Sequence, residues 1–546
     1  MYVILETEVT AMGMYFNPDN SGFKQALNSQ IYVDKTGMIG FVNSIINTEQ
    51  KFAAISRARR FGKSMAAKLL VAYYSKGCDS RALFKGLKTE TLLSFESELN
   101  KNNVIMIDFQ QHFSSAKGKN EPEKVLECMQ EKIIQEIHES YPDIVSENDI
   151  FLPDVLEKVN KATNEQFIII IDEWDCLFRE AKNNIELQNN YINFLRGMFK
   201  GYMADKVIKL AYITGILPIK KYGTQSALNN FKEYTMVSPG PLAEYVGFSE
   251  DEVKALCERF NMNFEECKRW YDGYSFAKVA SIYNPNSVVE AMLREEFGSY
   301  WTRTDTYEVL RDYISMNMDG LKDDITSMIA GNQCRIRTEK FSNDMVTFNS
   351  KDDVMTLLVH LGYLAYNSET GKVRIPNREI AGEFANAVED QKYWGELAKA
   401  IRLSDDFLDA IIAGKADFVA EQLQRVHSDD ASVLQYNDEN SLACAIRIAF
   451  YTSYKHYTLF RELPTGEGFA DIVYIPKKKS EYPAILIELK YNRNADSAIK
   501  QIKEKRYTGK LLDYADNLIL VGINYGKRSR KHTCKIEKSL GLRVKS

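Results

Sequence analysis

Three polar residues near the C-terminus, Asp471, Glu488 and Lys490, are of types and at a spacing that suit metal-assisted attack on a phosphate. They lie in "FADIVYIPKKKSEYPAILIELKY", where two β-prone runs flank the turn-forming "PKKKSEYP". Folding this stretch symmetrically about Lys479 and Ser480 predicts a hairpin with Asp471 opposite Glu488. Strand side chains alternate, so Glu488 and Lys490 share one face while Ile485, Ile487 and Leu489 take the other, buried one. Two carboxylates supply the oxygen ligands that Mg²⁺ requires, and a neighbouring lysine can orient a water or balance charge at an attacked phosphate. Phosphodiester hydrolysis is the chemistry this trio suits. A Glu-x-Lys alone is more often a solvated charge pair at a strand end. Here an Asp precedes it on the partner strand, four apolar residues lead into Glu488, and Gln501 follows on a helical pattern eleven residues after Lys490.

A second constellation lies in "FAAISRARRFGKSMAAKLLVAYYS", where a β-prone run passes through an Arg-rich loop (Arg59, Arg60, Phe61) to Gly62, Lys63, Ser64 and Met65 and into a helical pattern. A strand, a loop and a helix N-terminus make an anion site, with backbone N–H groups and the helix dipole holding phosphates. Lys63 suits the β and γ oxygens of ATP and Ser64 suits its Mg²⁺. Arg57 stands where a P-loop has its first glycine. The partner signal is "FIIIIDEWDCLF", a buried strand ending in Asp172 and Glu173, suited to holding the Mg²⁺ through water and polarising the attacking water respectively. Two further apolar strands, "NVIMIDFQ" ending near Asp108 and "VIKLAYITG" ending at Thr214 and Gly215, complete a parallel sheet whose ligands gather at the strand carboxyl ends. Thr214 is then a candidate γ-phosphate sensor or, alternatively, a capping threonine.

The C-terminal array resembles the PD-(D/E)XK nuclease superfamily, through Asp471, Glu488 and Lys490, with Gln501 and Tyr507 matching a helix of one branch. That resemblance implies a further acid from an earlier helix. Glu439, in "NDENSLACAIRIAFYTS", is the candidate, and a helix-start charge is the alternative reading. The whole chain, from about residue 15 to 510, resembles the AAA-ATPase-like family with a C-terminal PD-(D/E)XK domain, an arrangement common in bacterial genomes. The matching motifs include "YVDKTGMI", "SRARRFGKSM", "IIIIDEWD", "TGILPI", "ALNNF", "WYDGYSF", "YNPNSVV", "LGYLAY" and "RIPNREI". In that family Arg also takes the place of the first P-loop glycine; Ala58 stands where proline is usual and Trp174 where tyrosine is usual. The resemblance implies an ATPase module coupled to a nuclease module, with ATP and Mg²⁺ as cofactors and Mn²⁺ as an alternative at the nuclease site. A homo-oligomer stays open, with Arg59, Arg60 or neither acting in trans.

The expected organisation is α/β: a P-loop NTPase parallel-sheet domain over 1–245, a mostly helical lid or coupling region over 246–430, and a restriction-endonuclease-like α/β domain over 431–546. At 546 residues the chain exceeds one ordinary core. In the middle region Ser249 and Glu252 read as a capping box, and "VMTLLVHLGYLAY" with "KVRIPNREI" as a helix followed by a winged-helix-like hairpin. The aromatic "KRWYDGYSF" reads as core packing around a turn at Gly273 rather than as a base-stacking surface. A net charge of −5 hides a basic end: residues 491–546 carry fourteen Lys and Arg against five Asp and Glu. "GKRSRKHTCK" is the densest piece and suits a nucleic-acid backbone, DNA more than RNA. Eight cysteines without CxxC spacing and six unclustered histidines point away from disulfides and zinc. No apolar run reaches a membrane span, and the N-terminus lacks a basic signal, so the expectation is a cytoplasmic protein with no membrane partner. The leading expectation is an ATP-controlled, Mg²⁺-dependent nuclease, of a kind that would suit defence or mobile-element biology; the alternative is a nucleotide-dependent switch or scaffold that binds nucleic acid or protein without cutting.

Overall fold

The computed structural model describes residues 13–219, 221–222, 225–226, 228–276, 279–301, 306–316, 318–339, 341, 347–389, 392–427, 439–465, 468–477, 482–504, 517–526 and 528–539. The chain divides into two compact units, residues 1–301 with 335–379, and residues 302–334 with 380–546.

The first unit is built on β1 (Phe52–Ser56), α1 (Lys63–Tyr74), β2 (Asn103–Asp108), α2 (Phe109–Gly118), β3 (Phe167–Asp172), α3 (Cys176–Glu180), β4 (Ile208–Gly215) and β5 (Lys232–Tyr234). The strands form one sheet in the order β2-β3-β4-β1-β5, every pairing parallel. Its interior strand β3 is buried at all six positions, as a β-branched run covered on both faces must be. Parallel pairing brings all carboxyl ends to one edge, so Ser56, Asp108, Asp172 and Gly215 end their strands together.

Helices follow the sheet: α4 (Glu250–Arg259) and α5 (Phe264–Tyr271), then β6 (Tyr274–Phe276), β7 (Val279–Tyr283) and α6 (Pro285–Arg294). Ser249 and Glu252 form the expected capping box of α4. Trp270, Tyr271, Tyr274 and Phe276 are buried, and Gly273 has φ +130 with no room for a Cβ beside the Pro376 carbonyl, which places this aromatic run in the core. The helix-then-hairpin pattern is present as α7 (Lys351–Leu361), β8 (Ala365–Asn367) and β9 (Lys372–Arg374).

In the second unit α8 (Ala416–His427) and α9 (Glu439–Ala449) precede β10 (Tyr457–Thr465), β11 (Gly468–Pro476), β12 (Ala484–Tyr491), α10 (Ala495–Glu504), β13 (Leu518–Gly526) and β14 (Lys531–Ser539). The sheet runs in that order; β12 and β13 are parallel, joined by the α10 crossover, and the other pairs are antiparallel. Ala495, Ala498, Ile499 and Ile502 recur at helical spacing and are buried. Gly522 makes the fit possible: a Cβ there would lie 2.5 Å from the Ala495 carbonyl oxygen and 3.0 Å from the Ala498 Cβ.

Candidate functional site

In the first unit the turn from β1 to α1 carries left-handed residues at Arg60 (φ +66) and Gly62 (φ +95). The side chain of Arg57 turns into the core. It is fully buried, its Nη1 donates to the carbonyls of Ser56 (3.0 Å) and Tyr234 (2.9 Å), and its guanidinium lies 5.1 Å from the Phe276 ring centroid. Burial holds that guanidinium down to about 10. Arg57 therefore ties the end of β1 to β5. Arg59 is exposed, while Arg60 donates to the Tyr300 carbonyl at 2.8 Å and Phe61 packs edge-on to Tyr274.

Lys63 opens α1, buried to 4% exposure, and its Nζ donates to the Arg57 and Ala58 carbonyls, both at 3.1 Å. Burial lowers its pKa, opposed by Glu173 and Asp172. Ser64 and Met65 are exposed on the first turn. Asp172 accepts the Thr214 hydroxyl and, at 3.1 Å, the Glu173 N–H. Glu173 adopts φ +54 and sits 3.8 Å from Lys63 Nζ. Asp108 lies beside Asp172 in the β2–β3 register, and burial raises its carboxyl, helped by repulsion from Asp172 and Glu173. These residues meet at one edge of the sheet.

Sequence reasoning missed two partners of this cluster. Arg179 on α3 donates through Nη2 to Glu173 and through Nε to Asp175 at 3.1 Å. Asp175, fully buried, also accepts the N–H groups of Ile216 (3.1 Å) and Leu217 (2.8 Å). Gly215 is required beside them, because a Cβ would lie 2.6 Å from the Trp174 ring and 2.8 Å from Asp175 Oδ1. The i,i+4 spacing of Asp175 and Arg179 was the available signal. A cavity of about 410 Å³ also adjoins the loop, running from Gly62 and Met65 to Tyr32, Tyr245, Phe248 and Val289. Its walls come from four distant segments, which no local pattern announces.

In the second unit the pairing of β11 with β12 runs as far as Ile472 opposite Ile487, with Asp471 and Glu488 the next residues along their strands. Asp471 Oδ2 accepts the Leu489 N–H at 2.8 Å. Lys490 Nζ lies 3.1 Å from Glu488 Oε1, to which Gln501 on α10 also donates. Four of the expected groups therefore converge. The face bearing Glu488 is itself buried, at 1% exposure, because α10 packs on it; Ala484 and Leu486 on that face join Ile499 and Ile502 in one apolar cluster. Glu439 is the first residue of α9; its side chain, like all of Tyr507, lies outside the described residues.

Residues 22–224 match the AAA-ATPase-like family, described as Predicted AAA-ATPase, and residues 438–534 match the PD-(D/E)XK nuclease superfamily. This chain joins an AAA-ATPase-like domain to a PD-(D/E)XK nuclease superfamily domain. A relative from Azotobacter chroococcum mcd 1, an uncharacterized protein in the vnfD 5' region, is 22% identical over 547 residues, covering 93% of this chain and 96% of its own. Among solved structures, the Aeropyrum pernix ORC2 protein (ADPNP–ADP complexes) aligns over 66% of this chain and 96% of its own at 11% identity and TM-score 0.29. Cdc6p from Pyrobaculum aerophilum covers 68% of this chain and 97% of its own at 11% identity and TM-score 0.20.

Among the described residues, no three His, Cys, Asp or Glu groups gather as a metal cage. The nuclease domain instead offers Asp471 and Glu488, a fit for Mg²⁺, which is commonly bound through one or two carboxylates with water and phosphate completing its shell. Its basic end is partly neutralised: Lys503 pairs with Glu537 at 2.5 Å and Lys535 with Asp496 at 2.6 Å. Arg528, Arg530 and Lys531 are exposed around the β13–β14 turn, and the Tyr491–Tyr525 pairing sets that turn just past the end of β12 that carries Lys490. No helix among the described residues is long and apolar enough to cross a membrane.

Proposed function

We propose that this protein is an ATP-regulated, Mg²⁺-dependent nuclease that hydrolyses phosphodiester bonds of nucleic acid, DNA in preference to RNA, in the cytoplasm. The observation that carries the reading is the convergence of Glu488, Lys490 and Gln501, with Asp471 accepting the Leu489 N–H between them, inside a PD-(D/E)XK domain. Asp471 and Glu488 would hold the metal, which when bound supplies Lewis-acid polarisation of the phosphoryl group. Lys490 orients the attacking water, the scissile P–O bond breaks as the new one forms, the attacking water gives up a proton to solvent, and the leaving oxygen takes one from solvent. The exposed Arg528, Arg530 and Lys531 suit the backbone on either side of the cut.

In the ATPase domain, Lys63 exchanges its loop carbonyls for the β and γ phosphates, and the backbone from Arg60 to Met65 cradles them. Ser64 and Asp172 suit the Mg²⁺ of the nucleotide, Thr214 reads the γ phosphate beside Asp172, and Glu173 polarises water. The largely apolar cavity against Gly62 and Met65 suits the base, between Tyr32 and Phe248.

The test is cleavage of plasmid, single-stranded DNA and RNA with Mg²⁺ or Mn²⁺, with and without ATP, comparing wild type, Glu488→Ala and Lys63→Ala. Cutting that disappears in Glu488→Ala, and whose ATP response disappears in Lys63→Ala, supports the proposal. No cutting of any substrate by a wild type that binds ATP and nucleic acid tightly would replace it with a nucleotide-dependent switch.

A further inference from the structure

The water-polarising role assigned to Glu173 requires its carboxylate to be aimed at the attacking water with its charge uncompensated. In this structure it is engaged on both sides: Arg179 Nη2 donates to Oε2, and Lys63 Nζ lies 3.8 Å from Oε1. The Arg179 side chain is 7% exposed, and its Nε is held by Asp175. Asp175 is anchored by the N–H groups of Ile216 and Leu217, one and two residues after β4 ends at Gly215. Thr214, the last residue of that strand but one, donates to Asp172. One continuous set of hydrogen bonds thus runs from the loop just after β4, through Asp175 and Arg179, to Glu173.

We infer that Arg179 is a latch: a positioning residue that holds Glu173 away from water and releases it only in the minor fraction of ATP-bound molecules in which the loop from Thr214 to Leu217 has moved. The inference rests on the reading of Glu173 as the water-polarising residue. The planar guanidinium reaches two acids at once, Nη2 on Glu173 and Nε on Asp175, and that fixed geometry suits holding better than a lysine's single ammonium does. Asp175 fixes where the fork points. The loop after β4 fixes Asp175, which makes that loop the natural trigger.

The test uses the full chain and follows phosphate release from ATP, with binding read separately from a fluorescent ATP analogue. Arg179→Gln, which removes the charge and keeps much of the side-chain shape, should raise kcat about tenfold with KM for ATP within about twofold. Arg179→Lys should raise it less. The gain should vanish when Glu173→Gln is added, which separates release of Glu173 from any general loosening. If Arg179→Gln does not fold, Arg179→Lys, which retains the charge beside Asp175, decides the matter by the direction of its kcat change. Unchanged or lower kcat in the folded variant, with binding retained, overturns the latch and leaves the site reading intact. Failure of wild type to bind the analogue better than Lys63→Ala overturns the site reading, and the latch with it.

Discussion

Asp175→Ala should be among the most destabilising single substitutions in the ATPase domain. Asp175 is fully buried, and one oxygen accepts three donors: Leu217 N–H at 2.8 Å, Ile216 N–H at 3.1 Å and Arg179 Nε at 3.1 Å. Alanine strands two backbone donors and leaves a guanidinium without the anion that balances it. Breaking a buried ion pair from one side costs about 3–5 kcal/mol, and each orphaned donor about 1–3 kcal/mol. The terms overlap, so about 3–5 kcal/mol is the expected total. Asp175→Asn keeps an acceptor and removes only charge, so about 1–3 kcal/mol is expected. Adding Arg179→Met to Asp175→Ala should cost less than the sum of the singles by about 1–3 kcal/mol. Hydrogen exchange of a peptide spanning Ile208 to Ile219 reads the effect where it arises, alongside the urea midpoint. The Ile216 and Leu217 amides should exchange about two to three orders of magnitude faster in Asp175→Ala. Unchanged protection of those amides with a midpoint shift worth under about 1 kcal/mol would refute the assignment of Asp175 as the anchor.

Lys63→Ala should weaken ATP binding about 10- to 100-fold, measured by calorimetry, because charge-assisted phosphate bonds are worth about 1.5–3 kcal/mol. Lys490→Ala should abolish cutting in the plasmid assay while ATP affinity stays within about twofold, since the two groups belong to separate units. Gly522→Ala puts a Cβ 2.5 Å from the Ala495 carbonyl oxygen, so α10 must shift; a loss of about 1–3 kcal/mol in urea unfolding is expected, with slower cutting as Gln501 leaves Glu488. His360 is buried and its pKa is pushed down from 6.5 to about 4 by burial. Its folded pKa is below the unfolded one, so the stability it contributes is present above pH 6.5 and lost as pH falls toward 4, by about 3 kcal/mol. His360→Leu should flatten that acid limb in stability measured from pH 7 to 4.5, leaving the parallel contribution of His112, likewise lowered to about 4.

Local patterns carried much of this architecture. The hairpin register follows from turn chemistry centred on Lys479 and Ser480, and the observed pairing of Ile472 with Ile487 has that same centre. The strand ending at Asp172 was legible because an uninterrupted β-branched run admits one environment, a parallel sheet covered on both faces. What depended on distant contacts was not legible. Arg57 occupies a loop position from which a side chain could face phosphate, yet Tyr234 and Phe276, far along the chain, give it carbonyl and ring partners inside the core. The buried face of Glu488 escaped notice for a similar reason. The apolar spacing of α10 was visible, but not which side of the sheet it covers, and the small Gly522 that lets it approach lies beyond the crossover.

The two sites share a physical arrangement that bears on their regulation. Each couples a buried lysine to a carboxylate of its own chain, Lys63 to Glu173 and Lys490 to Glu488, with a third side chain, Arg179 or Gln501, donating to the same acid. Such a carboxylate is balanced before any ligand arrives, which removes the penalty of an isolated buried charge. A phosphate that recruits the lysine, or a cation that recruits the acid, must therefore replace an existing bond rather than fill a vacancy. The net gain from either ligand alone is then small, since it leaves the other half of the pair uncompensated in a low-dielectric site. Phosphate and cation arriving together satisfy both halves at once. Binding of Mg²⁺ and of a phosphodiester should accordingly be strongly cooperative at the nuclease site, where Glu488 is itself a proposed metal ligand, and Lys490→Ala should bind the cation alone more tightly than wild type does while losing cooperativity with phosphate. Calorimetric titration of Mg²⁺ with and without uncleaved oligonucleotide measures that coupling directly, and equal Mg²⁺ affinity in both conditions would contradict it.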